Sequence, residues 1–160
     1  MPRPATISAA PVRPSGDRLQ LSAATSDGAA LTHALDLARA ISFSTTPPAF
    51  RDAKVRSLLA ETLPKARHTA EALDIARSAS FLITMPKERG PVFEQAIHRA
   101  IALGKNRRDL EHILTVVSFH GIDPKSRERL VGAALGREWP DGSDVSLPPF
   151  PSGRPPGHRD

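Results

Sequence analysis

A ten-residue phrase, Ser-Phe, four free positions, Pro, two free positions, Arg, recurs three times in this chain at one fixed interval. The copies are Ser42-Phe43 with Pro48 and Arg51, Ser80-Phe81 with Pro86 and Arg89, and Ser118-Phe119 with Pro124 and Arg127, each 38 positions after the last. A fixed period between about 20 and 50 residues is what stacked supersecondary units produce, because each unit buries its apolar face only on its neighbour.

The spacing between copies is helical. Leu31, Ala34, Leu35, Ala38 and Ile41 fall on one face behind the candidate caps Ser26 and Asp27, and predict a first helix that Phe43 closes. Pro47-Pro48 cannot continue a helix but can start one, so a second helix is expected from Pro48 to Leu63, with Phe50, Val55, Leu58 and Leu59 inward. The next unit is expected to run from Lys65 to Thr84 on Ala72, Leu73, Ala76 and Ala79. After the breakers Pro86 and Pro91, its second helix uses Phe93, Ala96, Ile97 and Ile101 and stops at Gly104. In the last unit Asn106 or Asp109 caps a helix on Leu110, Ile113, Leu114 and Val117, and Asp123-Pro124 opens a helix carrying Leu130, Val131, Ala134 and Leu135. Trp139 is expected to pack over the last hydrophobic face. The architecture is thus all-α: a short right-handed α-solenoid of three helix hairpins over residues 28–138. The Pro/Ser/Ala-rich leader, residues 1–27, and the Pro/Gly-rich tail, residues 139–160, are expected to be disordered.

Charge becomes informative once divided. The two tails together balance five Arg against five acids, so the whole net charge of +5 sits on the repeats. A positive folded part between neutral tails favours an anionic partner such as nucleic acid. The absence of cysteine excludes disulfides, thiolate catalysis and Cys-type zinc sites. No run of about 18 apolar residues suggests a membrane span, and the N-terminus lacks a secretory apolar region, so the protein is expected to be cytoplasmic where it is made.

Within the phrase, Phe43, Phe81 and Phe119 are expected to be core wedges between helices, since an aromatic at a regular repeat position is usually packing. Ser can bond back to a carbonyl of the final turn, and Pro48, Pro86 and Pro124 set the start of each second helix. Arg51, Arg89 and Arg127 fall in a first helical turn, where a cation opposes the helix dipole by about 0.3 to 1 kcal/mol. Either a structural partner offsets that cost, such as a carbonyl of an adjacent helix or Asp52 or Glu128, or the three form a ladder along an anionic strand. The junctions Lys65-Ala66-Arg67 and Lys105-Asn106-Arg107-Arg108 place further positive charge at corresponding ends of two units, as phosphate contacts or as solvated loops. The off-core columns Asp36/Asp74/His112 and Arg39/Arg77/Thr115 vary between units.

The six His form neither His-x-x-x-His nor His-Glu-x-x-His, and no phosphate-binding Gly loop or Gly-x-Ser-x-Gly is present. No cofactor, metal or small-molecule substrate is expected, and the chain does not read as an enzyme.

A helix-hairpin repeat of this length, whose first helix ends in an apolar-Gly phrase and whose second opens on Pro, resembles the octotricopeptide repeat family of helical RNA-binding proteins. The match is clearest from Arg108-Asp109-Leu110 through Ser118-Phe119-His120-Gly121 and Pro124 to Leu130, although the multi-proline, Trp-bearing opening of the family's second helix is reduced here. The leader also resembles the N-termini of bacterial type III secreted effectors, which implies secretion into a host cell. The resemblance and the charge together imply single-stranded RNA binding through Arg51, Arg89, Arg127, Lys65, Arg67, Lys105, Arg107 and Arg108. The alternative is a protein-interaction module that takes a peptide or partner helix.

Overall fold

The computed structural model describes residues 16–139, with side chains from residue 28 onward. The disorder expected for residues 1–15 and 140–160 lies outside this range. The described chain is all-α, with no strand among the described residues: α1 (Gly16–Ser42), α2 (Pro48–Thr62), a short 3-10 turn (Leu63–Lys65), α3 (Thr69–Leu82), α4 (Pro86–Leu103), α5 (Arg107–Phe119) and α6 (Pro124–Leu135). Sequential helices pair as α1 with α2, α3 with α4 and α5 with α6. In addition α3 packs on both α1 and α5, and α4 on both α2 and α6.

Local chemistry explains most boundaries. Pro48, Pro86 and Pro124 each supply the first residue of their helix, where the missing N–H has no intrahelical acceptor to lose. The Asn106 side chain accepts the Asp109 N–H at 3.0 Å, and Asp109 Oδ2 accepts the Lys105 N–H at 2.7 Å, so both candidate caps of α5 act together. Asp123 Oδ1 accepts the Ser126 N–H at 3.0 Å and caps α6.

Three boundaries differ from expectation. The first helix begins at Gly16, upstream of Ser26 and Asp27, because no proline interrupts the helix-formers Leu19, Gln20, Leu21, Ala23 and Ala24. The start of α3 lies at Thr69 rather than Lys65, since Glu71 Oε2 accepts the N–H groups of Arg67 (2.7 Å) and His68 (3.1 Å) and fixes the first turn there. Finally, α4 runs through Pro91 from Pro86, where Pro91 forgoes one backbone bond on an exposed turn.

One continuous core joins the six helices, and its largest fully buried side chains include Phe93, Leu59, Leu73, Ile97 and Ile113. Trp139 is buried against it: its Nε1 donates to the Ala134 carbonyl at 3.0 Å, and its ring occupies the space where a Cβ on Gly104 would stand. Gly104 is therefore required by close packing as well as being a helix stop.

The principal correction concerns the aromatics. Phe43, Phe81 and Phe119 are not core wedges; they are 84%, 76% and 83% exposed. Phe50, expected to point inward, is 69% exposed. The reason is helical phase. Phe81 lies four residues after Arg77 and seven after Asp74, on the polar face, while the buried stripe is Ala72, Leu73, Ile75, Ala76 and Ala79.

Candidate interaction face

The C-terminal ends of α1, α3 and α5 are brought together by polar bonds of constant sequence separation. Ser42 Oγ donates to the Leu82 carbonyl at 3.1 Å, and Ser80 Oγ meets His120 Nδ1 at 2.9 Å, both across 40 positions. The first turns of α2 and α4 are tied to the same ends. Arg51 reaches the Thr84 hydroxyl at 3.4 Å, and Arg89 Nη2 donates to the Gly121 carbonyl at 3.0 Å, across 33 and 32 positions. The repeated Ser and Arg therefore tie each pair of helices to the turn inside the next pair. Phe43, Phe81 and Phe119 stand at those helix ends, and all three are exposed.

Beside them stand the surface pairs Arg39–Asp36 at 2.8 Å and Arg77–Asp74 at 2.9 Å. A shallow cleft of about 280 Å³ between α1 and α3 is lined by Leu35, Arg39, Asp74, Arg77, Phe81 and Leu82. At the last pair the positions of Arg77 and Asp74 become Thr115 and His112, and a wider, mainly apolar groove of about 580 Å³ opens between α5 and α6 along Leu114, Phe119, Val131 and Leu135. The Phe81 ring also stands edge-on to the His120 imidazole, with centroids 5.3 Å apart. Burial, with a smaller contribution from the positive charge of Arg77, holds that imidazole below its usual pKa, so it is neutral and able to bond Ser80.

A second polar node lies under this face. Asp52 is fully buried and accepts from the Thr84 hydroxyl (2.7 Å), the Thr84 N–H (2.9 Å) and the Met85 N–H (2.8 Å). Its burial raises the carboxyl pKa, but the hydrogen bonds from Thr84 and Met85, with Arg51 alongside at 3.5 Å, outweigh this and leave it below the ordinary value. Sequence reasoning considered Asp52 only as one possible partner of Arg51. The signal for more was its fit to the inward phase of Val55 and Leu59. Arg99 was missed entirely; its Nη2 donates to the Ala66 carbonyl at 2.9 Å and pins the α2–α3 junction to α4.

The eight basic residues fall into two groups. Arg51, Arg89 and Arg127 are half-buried at the first turns of α2, α4 and α6, and the first two bond within the protein. Lys65, Arg67, Lys105, Arg107 and Arg108 are exposed at the α2–α3 and α4–α5 junctions. These junctions lead into the N-terminal ends of α3 and α5, whereas the first group sits by their C-terminal ends, a helix length of about 20 Å away at about 1.5 Å per residue. Arg107 pairs with Glu111 at 3.2 Å. Among the described residues no group of three His, Asp or Glu is placed to hold a metal ion, and no helix is long and apolar enough to cross a membrane.

Compared with protein-family models, with curated proteins and with solved structures, the chain matches none.

Proposed function

We propose that this chain is a non-catalytic helical-repeat binding protein, a short right-handed solenoid of three hairpins, and that its ligand is an apolar-anchored segment of another protein lying along Phe43, Phe81 and Phe119. The observation that carries this reading is the exposure of all three rings, at 84%, 76% and 83%. Burying one Phe side chain contributes about 1.5–3 kcal/mol. The free chain forgoes that three times over, an amount comparable with the whole stability of a domain, about 5–15 kcal/mol. Large aromatics and arginines are enriched at the centres of protein interfaces. The constant separations of 40 and 32 to 33 positions in the bonds linking successive helix pairs support the solenoid. A delivered bacterial effector engaging a host protein fits the composition of the leader.

The second reading is single-stranded RNA binding, in keeping with the octotricopeptide-like pattern. It is favoured by the exposed series Lys65, Arg67, Lys105, Arg107 and Arg108, not by Arg51 and Arg89, which are engaged internally.

Selection of short peptides from a displayed random library on the immobilised protein, followed by fluorescence anisotropy, tests the first reading. Selected peptides are expected to carry spaced apolar anchors and to lose about tenfold or more in affinity against F81S, roughly 1.4 kcal/mol or more. Peptides that bind F43S/F81S/F119S as tightly as the wild type would overturn it. Binding of mixed-sequence RNA that weakens with a log-log salt slope near −0.7 per phosphate and ignores those substitutions would establish the second reading instead.

A further inference from the structure

Both ends of the helix stack keep apolar side chains that the middle buries. Ile75 and Ile113 are fully buried, yet Leu37, 38 positions before Ile75, is 43% exposed. At the other end, Val55 and Leu59 on α2 and Phe93 and Ile97 on α4 are fully buried, whereas their counterparts Val131 and Leu135 on α6 are only half-buried along the 580 Å³ groove. Terminal units of repeat proteins ordinarily carry a polar outer face. This one presents an apolar face at one end and an apolar groove at the other.

The two ends also match in register. Ser118, Arg127 and Glu128 border the groove at the positions where Ser42, Arg51 and Asp52 hold the next turn, and Arg127 Nε is buried with no hydrogen-bond partner among the described residues. The turn they would hold corresponds to Ser44–Thr46, with Thr46 standing 38 positions before Thr84. At the edge of the first internal junction Arg56 pairs with Glu88 at 3.1 Å; at the same place in the second, Glu94 meets Ser126. One period further on, the corresponding residues are Gly132, with open space around it, and Phe50, 69% exposed. A large ring and a glycine therefore stand where the internal junctions place polar pairs.

We propose that copies of this chain stack head to tail, the α5–α6 groove of one molecule receiving the α1–α2 face of the next in the register of the internal junctions, with Phe50 over Gly132. The inference rests on the repeat reading but not on the ligand. Such contacts are heterologous, so assembly is open-ended rather than closing at a dimer. Residues 140–160 of the same chain, with Leu147 and Phe150, are the competing occupant of the groove, but they would leave the α1–α2 face bare, whereas a second copy covers both.

Sedimentation velocity of the full chain tests this. The wild-type weight-average mass is expected to climb with concentration from the 17.2 kDa monomer without levelling at twice that value. G132R and F50E should each hold the protein at the monomer mass with unchanged circular dichroism, since both sites are exposed. The double variant G132R/F50E should associate again, because each junction then repeats the Arg56–Glu88 pair. A wild type that stays monomeric at every concentration, as it would with residues 140–160 in the groove, overturns the proposal. So does association that the single variants leave intact or that the double variant fails to regain. Failure of the repeat reading registers separately, as an Asp52→Ala substitution that leaves monomer stability unchanged; failure of the ligand reading registers in peptide binding alone.

Discussion

Asp52 on α2 and Thr84 in the α3–α4 turn are joined twice, through the threonine hydroxyl at 2.7 Å and its backbone N–H at 2.9 Å, although 32 positions separate them. The carboxylate is fully buried, so its alternative to these partners is not water. Replacing it removes three part-buried hydrogen bonds to a charged acceptor, each worth about 1.5–3 kcal/mol net at most. Asp52→Ala should therefore cost about 2–4 kcal/mol in urea unfolding, and Asp52→Asn less, because an amide oxygen still accepts.

Two acid-linked losses of stability should be separable. His120 is held below its usual pKa by burial and then by Arg77, so the unfolded chain takes up a proton first. Stability should fall as pH drops from about 6.5 to the depressed native value and then flatten, and His120→Asn should remove this step. The Asp52 carboxyl is depressed overall, its hydrogen bonds outweighing its burial. Its contribution is complete above about pH 4 and lost as pH falls through the lower native value, so Asp52→Asn should remove its share of that limb and leave the share of Asp123, which its bonds from Ser126 also hold low. Denaturant midpoints across the pH range measure both.

Gly104 faces the Trp139 ring so closely that an added Cβ would lie 2.4 Å from Cζ3 and 2.7 Å from Cη2. Trp139 is buried and hydrogen-bonded to Ala134, so it cannot swing aside freely. Gly104→Ala should cost about 1–3 kcal/mol as an overpacked site. The penalty should shrink in a Trp139→Leu background, a coupling that a double-mutant cycle measures. The single Trp also makes intrinsic fluorescence a local reporter of α6.

Helix content and order were legible because apolar spacing and proline placement act locally. Asn106, Asp109 and Asp123 cap the helices they precede, since a cap needs only its own next turn. The start of α3 was not legible, because the His68–Glu71 turn competes with a proline-led start that is otherwise equally good. The face carrying the phenylalanines was misread for a different reason. Residue type argued for the core, whereas phase argued for solvent, with Asp36, Arg39 and Phe43 at i, i+3 and i+7. Asp36 and Arg39 mark that column as off-core, and Phe43 continues it. Arg51 meets its neighbour Asp52 at 3.5 Å, a partner the sequence itself offers, whereas the contacts of Arg51 to Thr84 and of Arg89 to Gly121 lie more than 30 positions away, which no local pattern fixes.

The exposed phenylalanine face is tested most directly by urea unfolding of F43S/F81S/F119S. Surface substitutions usually change stability by no more than about 0.5 kcal/mol each, so the triple variant should fold and unfold within about 1.5 kcal/mol of the wild type. If the rings were core wedges, each truncation would cost about 3–5 kcal/mol, and the triple variant would not fold. A collapse of that size would contradict the account.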